Sequence, residues 1–95
     1  MTKPAVLDEK VNRYETLLRR ALSSFEVAVQ DKSHLWKVAD DFSTMAKAYY
    51  DDGRFFLEHD DKVNALACFS YGHAWLDAGV KLGVFKASDE NLFTI

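Results

Sequence analysis

The sequence contains few of the residues that build cross-links, tight turns and membrane spans. Its 95 residues include one cysteine, one proline and four glycines. A single cysteine cannot close a disulfide within the chain, and so little proline and glycine disfavours an all-β sandwich, which turns about every 8 to 12 residues. The first ten residues carry charges where a signal peptide has an apolar run, and no uncharged stretch reaches the ~18 residues of a membrane span. We therefore expect a cytoplasmic protein that does not associate with membranes.

The motifs that hold cofactors, metals and nucleic acids are also missing from the sequence. It has no glycine-rich phosphate loop, no Cys-x2-Cys pair and no His-Glu-x2-His helix. The net charges of residues 1–32, 33–61 and 62–95 are +1, −4 and 0, so no segment has the basic surplus of a nucleic-acid-binding surface. We expect no cofactor, no metal and no nucleic-acid partner.

Apolar residues at helical spacing dominate what is present. Steps of three and four residues predict helices at about 5–31, 34–58 and 62–82. The short connection between the last two helices makes them antiparallel, so we predict a single domain over residues 1–95, an all-α, up-and-down antiparallel three-helix bundle. A tail over residues 84–95 is too short for another core element. It carries apolar residues that argue against simple disorder, namely Leu92, Phe93 and Ile95.

Local signals mark where these helices begin and end. Ser33 is placed to cap the second helix and Asp61 to cap the third. Asp60 tolerates a left-handed turn between them, and Gly83 suits the left-handed position that ends the third helix. Gly53 costs roughly 1 kcal/mol relative to alanine inside a helix, so we expect it to allow a neighbouring helix to approach closely.

The third helix is unusual because residues 63–76 include no formally charged side chain. A helix that is apolar on every face is expected to be buried on every face. Its large residues form one stripe and its small residues form another, respectively Leu66, Phe69, Leu76 and Val80, and Ala65, Cys68, Gly72 and Gly79. In a three-helix monomer one of these faces would contact water, so the sequence predicts a partner or a second copy of the chain.

More aromatic residues surround the hairpin of helices two and three than a bundle of this size can bury. Tyr50, Phe55 and Trp75 are the candidates for a hydrophobic groove that accepts a helix. We therefore predict a non-enzymatic interaction module that self-associates, with a homodimer as one form, or binds a partner helix through this hairpin.

Residues 48–85 and the tail resemble the small archaeal family of unknown function called DUF357. The features that carry the resemblance are an aromatic-rich helix end, an acidic turn, an alanine- and glycine-containing helix and a closing tail. They match here at Tyr50, Phe56, Leu57, Asp61, Ser70, Tyr71, His73, Leu76, Asp77, Ala78, Gly79, Leu92, Phe93 and Thr94. Asp60 stands where such turns usually have glycine. The resemblance implies an up-and-down three-helix bundle with no assigned activity.

His73 and Asp77 are four residues apart and therefore share one helical face. An aspartate that orients a histidine is typical of general-base or metal chemistry. However, no serine or cysteine is placed by spacing as a nucleophile, and two ligands are too few for a metal. We interpret the two residues as a structural polar pair and predict no catalytic residue.

Arg54 and His59 provide the alternative, an enzyme. Their Arg-x4-His spacing is similar to the loose motif of the helical HEPN ribonucleases, and that resemblance implies metal-independent RNA cleavage by a dimer. The surrounding acids would repel a phosphate backbone. A pair between Arg54 and Glu58 is the simpler interpretation.

Overall fold

The computed structural model describes residues 3–93 and confirms the predicted all-α bundle. Its helices are α1 (Leu7–Leu22), α2 (His34–Glu58) and α3 (Lys62–Leu82). Two short strands, β1 (Glu26–Val27) and β2 (Phe85–Lys86), pair antiparallel, with Glu26 opposite Lys86. The tail residues Thr94 and Ile95 of the sequence prediction lie outside the described residues. No helix in the described part of the chain is long and apolar enough to cross a membrane.

The predicted caps of α2 and α3 are confirmed. The Ser33 hydroxyl accepts a hydrogen bond from the Trp36 backbone N–H, and the Asp61 carboxylate accepts one from that of Asn64. Asp60 has the left-handed backbone expected of it, with φ at 59°. Because only three residues separate the two helices, α2 reverses directly into α3 and the pair forms an antiparallel hairpin.

The prediction that the first helix runs from about residue 5 to residue 31 is wrong, because α1 begins at Leu7 and ends at Leu22. The hydroxyls of the next two residues donate to the Arg20 carbonyl, that of Ser23 at 3.1 Å and that of Ser24 at 2.6 Å. These bonds compete with the backbone hydrogen bonds that would continue the helix. The aromatic ring of Phe25 then packs on Phe85, with 4.4 Å between centroids. The chain from residue 25 onward therefore pairs with the C-terminal segment instead of prolonging the helix.

The core is centred on α3, which packs against both other helices. Its buried residues repeat every four and three positions and form one stripe of Ala65, Phe69, Gly72, Leu76 and Gly79. The isolated chain therefore leaves the other side of α3 exposed, as expected for a three-helix monomer, and the predicted burial of that side by a partner stays a prediction. This stripe mixes large and small residues of the two predicted stripes, and its glycines make room for neighbouring elements, Gly72 for Leu18 and Tyr49 and Gly79 for Phe85.

Gly53 of α2 makes such room, as predicted. A Cβ atom at this position would overlap the ring of Phe69 in α3. The α2 residues that face the core, Ala39, Ala46 and Gly53, recur every seven positions and have little or no side chain. The two helix backbones consequently approach closely along their length.

The C-terminal segment completes the core. Gly83 has φ at 90°, and the N–H of Val84 donates to the Gly79 carbonyl at 3.0 Å, so the chain folds back over the last turn of α3. Apolar side chains then return to the interior at four positions, Val84, Phe85, Leu92 and Phe93. The expectation that this tail is too short for another core element is therefore wrong, because it supplies four of the twelve buried apolar residues within residues 3–93.

Candidate functional site

The predicted pair of His73 and Asp77 is in contact. Nδ1 of His73 lies 3.2 Å from Oδ2 of Asp77, and the two side chains are 20% and 24% exposed. They lie at a cavity of about 370 Å³ between α1 and α3. The other lining residues are Tyr14, Leu17, Phe69, Ser70 and Ala74.

The second ring nitrogen of His73 argues against catalysis. Nε2 is buried and has no hydrogen-bond partner among the described residues, and the ring of Phe93 lies beside the imidazole at 6.2 Å between centroids. A general base needs that nitrogen within reach of the proton it removes. Residues 3–93 also contain no group of three or more side chains arranged to hold a metal. The geometry is that of a packed polar pair, and its structural role stays a prediction.

Arg54 and His59 are not brought together. Nη2 of Arg54 lies 3.9 Å from the Glu58 carboxylate, and Nδ1 of His59 is bound to the Phe55 carbonyl at 2.8 Å. Across residues 3–93 no hydrogen bond, ion pair or ring contact joins the two side chains. The arrangement does not support the ribonuclease alternative, which needs both groups at one phosphate.

The three aromatic residues predicted to bind a partner lie in different surroundings. The Tyr50 hydroxyl donates to the Glu15 carboxylate of α1 at 2.6 Å, so this ring spans the α1–α2 contact. Phe55 is 55% exposed and stacks on His59, 4.2 Å between centroids. Trp75 is half-buried against Phe42 of α2. They do not form one groove, and their partner-binding role stays a prediction.

Burial and the Glu15 carboxylate set the ionisation of Tyr50. Burial first, and then the hydrogen bond and negative charge of Glu15, raise the pKa of this hydroxyl above its ordinary value of 10.0. The raised pKa keeps the proton on the Tyr50 hydroxyl, which donates it in the hydrogen bond to Glu15. Tyr50 is therefore a fixed link between two helices rather than a reactive group.

The exposed apolar surface lies instead along the outer side of α3. Val63, Tyr71 and Leu82 are 68%, 51% and 56% exposed, and three alanines between them are exposed as well. We call this set the α3 strip; its members are Val63, Ala67, Tyr71, Ala74, Ala78 and Leu82. At about 100° per residue these positions fall within an arc of about 100°, on the side of α3 opposite the buried stripe.

Sequence reasoning found that residues 63–76 of α3 are uncharged but missed which face stays exposed. Tyr71 resembled the surrounding core aromatics, yet its ring packs edge-on against Tyr49 at 4.7 Å and against Trp75 at 6.0 Å with half of its surface open to solvent. No spacing signal in the sequence identifies the strip, because apolar residues occur on every side of this helix. These two ring contacts restrict the orientation of the Tyr71 ring, as in the aromatic anchors of protein interfaces.

The fold and this surface define a small helical bundle with an exposed apolar helix face. Residues 13–85 match the family described as Protein of unknown function (DUF357), and the chain belongs to that family. The fold is similar to the crystal structure of protein AF1782 from Archaeoglobus fulgidus, which carries the same family label. The TM-score is 0.64, with 24% identity over 88% of this chain and 100% of that one. No curated protein matches the chain.

Proposed function

We propose that this protein is a non-enzymatic interaction module that binds an α-helix of another polypeptide chain through the α3 strip. The observation that supports this most directly is the exposed apolar α3 strip, whose members extend from Val63 to Leu82 with Lys81 at one edge, over roughly 28 Å of helix at 1.5 Å per residue. A surface of this length and composition fits a second helix better than it fits a small polar substrate.

The chemistry of the strip favours a helix as the ligand. Alanines at positions 67, 74 and 78 let another backbone come close, and Tyr71 provides a large ring whose position is already fixed. Fixed aromatic groups lose little conformational entropy on binding and commonly dominate interface energies. Trp75 borders the strip through its contact with Tyr71. Phe55 lies on α2, on the side away from Ala46 and Gly53, and is not part of this surface.

Site-specific photo-crosslinking tests the proposal. We would place p-benzoylphenylalanine at position 74 in the full chain, irradiate it in the native cell extract, and identify the adducts by mass spectrometry. The matched control carries the same group at position 48, an exposed alanine on α2. We expect adducts with a polypeptide at position 74 and few at position 48. Equal yields at the two positions would overturn the proposal.

A nuclease assay tests its non-enzymatic part. We expect no cleavage when the purified protein is incubated with RNA in the absence of metal. Cleavage that disappears in the His59→Ala variant would contradict the proposal and restore the HEPN-like alternative.

A further inference from the structure

We propose that the partner helix is α3 of a second copy, packed antiparallel about a two-fold axis that passes between Tyr71 and Ala74. This inference rests on the proposed function, since it uses the same strip and names its occupant. Four observations support it, namely the spacing of the strip, the sizes of its side chains, its charge and the accessible surface of the chain.

The intervals between successive residues of the α3 strip are the same whether they are read from the N-terminal end or from the C-terminal end. Successive members are separated by four, four, three, four and four residues. When two such helices run antiparallel about the axis, Val63 faces Leu82 of the partner subunit and Ala67 faces Ala78 of the partner subunit. Tyr71 faces the partner's Ala74, and two-fold symmetry repeats each of these contacts once. An interface that pairs a surface with itself requires this self-complementary order.

The side chains that meet in this pairing also complement one another in size. The pairing of Ala67 with the partner's Ala78 brings two small residues together, so the helices can pack at the short end of the 8–10 Å range of interaxial distances. The Tyr71 ring lies over the partner's Ala74 and not over another ring. Large side chains therefore fill the space left by small ones at the centre of the contact.

Charge does not oppose the pairing. Residues 63–76 are uncharged, and Lys81 lies at one edge of the strip. In this register Lys81 faces Asn64 of the partner subunit, so no like charges are brought together. A helix with several lysines or glutamates on this side would repel a copy of itself.

The accessible surface of the chain is large for its mass. It measures 6339 Å² for 10.8 kDa. Compact monomers of that mass expose roughly 5,500 Å². The difference of about 800 Å² is close to the area that each partner buries in a standard protein interface. The molecule is also flat, with extents of 43 × 32 × 17 Å, which is why so much surface is uncovered.

Sedimentation equilibrium on the full chain tests the dimer. We expect a mass of twice 10.8 kDa for the natural sequence and 10.8 kDa for Ala74→Glu, which puts a buried charge next to the axis. Ala48→Glu makes the same change at an exposed position of α2 and should remain dimeric. If circular dichroism shows that Ala74→Glu is unfolded, Ala67→Glu replaces it at another exposed position of the strip.

Disulfide crosslinking tests the direction of the helices. In a Cys68→Ser background, Ala67→Cys combined with Ala78→Cys should give covalent dimers on oxidation. Ala67→Cys alone should not, because the two copies of position 67 are about 16 Å apart along an antiparallel pair. Efficient crosslinking by Ala67→Cys alone would overturn the antiparallel register.

A monomeric natural protein, or a dimer that Ala74→Glu leaves intact, would overturn the inference. Neither result alone overturns the proposed function. A monomer that still crosslinks from position 74 to a different protein would leave the interaction module standing with another occupant. A monomer without such adducts would overturn both.

Discussion

Tyr50 shows how one side chain joins two helices that otherwise meet little. Its hydroxyl donates to Glu15 at 2.6 Å, and its ring packs on Phe69 with 5.8 Å between centroids. Arg19 also donates to Glu15, and its Nε reaches the same carboxylate oxygen, Oε2, at 3.1 Å. This arrangement couples α1, α2 and α3 through a single residue of α2.

Removal of the Tyr50 hydroxyl should therefore weaken the fold in a pH-dependent way. We expect Tyr50→Phe to lower the free energy of unfolding by about 1 kcal/mol at pH 7, the typical net value of one hydrogen bond. Because the pKa of Tyr50 is raised in the folded state, its contribution is complete below the ordinary value of 10.0 and is lost as the pH rises through the folded-state pKa.

Urea unfolding of both proteins at neutral pH and above pH 10 measures this difference. The difference in the free energy of unfolding between the natural protein and Tyr50→Phe should be smaller at the higher pH. A gap that is the same at both pH values would show that ionisation of Tyr50 does not affect stability.

His73 and Asp77 form a second half-buried polar contact, beside the core. We expect Asp77→Ala to cost about 1 kcal/mol, because the imidazole loses its partner in a largely water-excluded site. His73→Ala should cost at least as much, since it also leaves a cavity. The double variant should lose less than the sum of the two single losses, because the residues are in contact.

Thermal or urea unfolding of the three variants supplies the double-mutant cycle. Strict additivity would contradict the interaction. Unchanged stability in both single variants would contradict the structural interpretation itself.

At the scale of the elements, Gly79 determines whether the C-terminal segment can dock on α3. A Cβ atom at position 79 would overlap the ring of Phe85, which also packs on Phe25 at the end of the β1–β2 contact. Gly79→Ala should therefore destabilise the protein by about 1 to 3 kcal/mol, although alanine favours a helix by about 1 kcal/mol. Urea unfolding of the natural protein and of Gly79→Ala measures this loss in the free energy of unfolding.

A compensating variant distinguishes this overlap from a general effect of the substitution. Phe85→Leu should recover part of the loss in Gly79→Ala, because the smaller side chain leaves room for the methyl group. It should recover nothing in Gly83→Ala, where no atom lies within 4 Å of an added Cβ and the cost comes from the left-handed backbone. A Gly79→Ala protein as stable as the natural one would contradict the close contact.

At the scale of the whole molecule, three helices and a short tail form a flat body in which one helix contacts both others. Burial of one stripe of α3 by α1, α2 and the C-terminal segment leaves the opposite side uncovered. A fourth helix would close such a bundle, and the described residues do not provide one. The open side of α3 is thus a consequence of the number of elements, and the proposed dimer supplies the missing helix from a second copy.

The sequence alone determined whatever depends on neighbouring residues. The ends of α2 and α3 were predictable because Ser33, Asp60, Asp61 and Gly83 act on backbone groups within a few positions of themselves. The contact of His73 with Asp77 was predictable for the same reason, since four residues is about one helical turn.

Only the tertiary structure decided what depends on distant residues. Ser23 and Ser24 act locally at the end of α1, but the chain that follows packs through a contact of Phe25 with Phe85, sixty positions away, which the apolar spacing within residues 5–31 does not reveal. The exposed face of α3 was equally hidden, because apolar residues on every side give no periodicity that distinguishes the buried stripe from the α3 strip. The packing of α1, α2 and the C-terminal segment determines which side of α3 is buried, since these three elements can cover only one side of a helix.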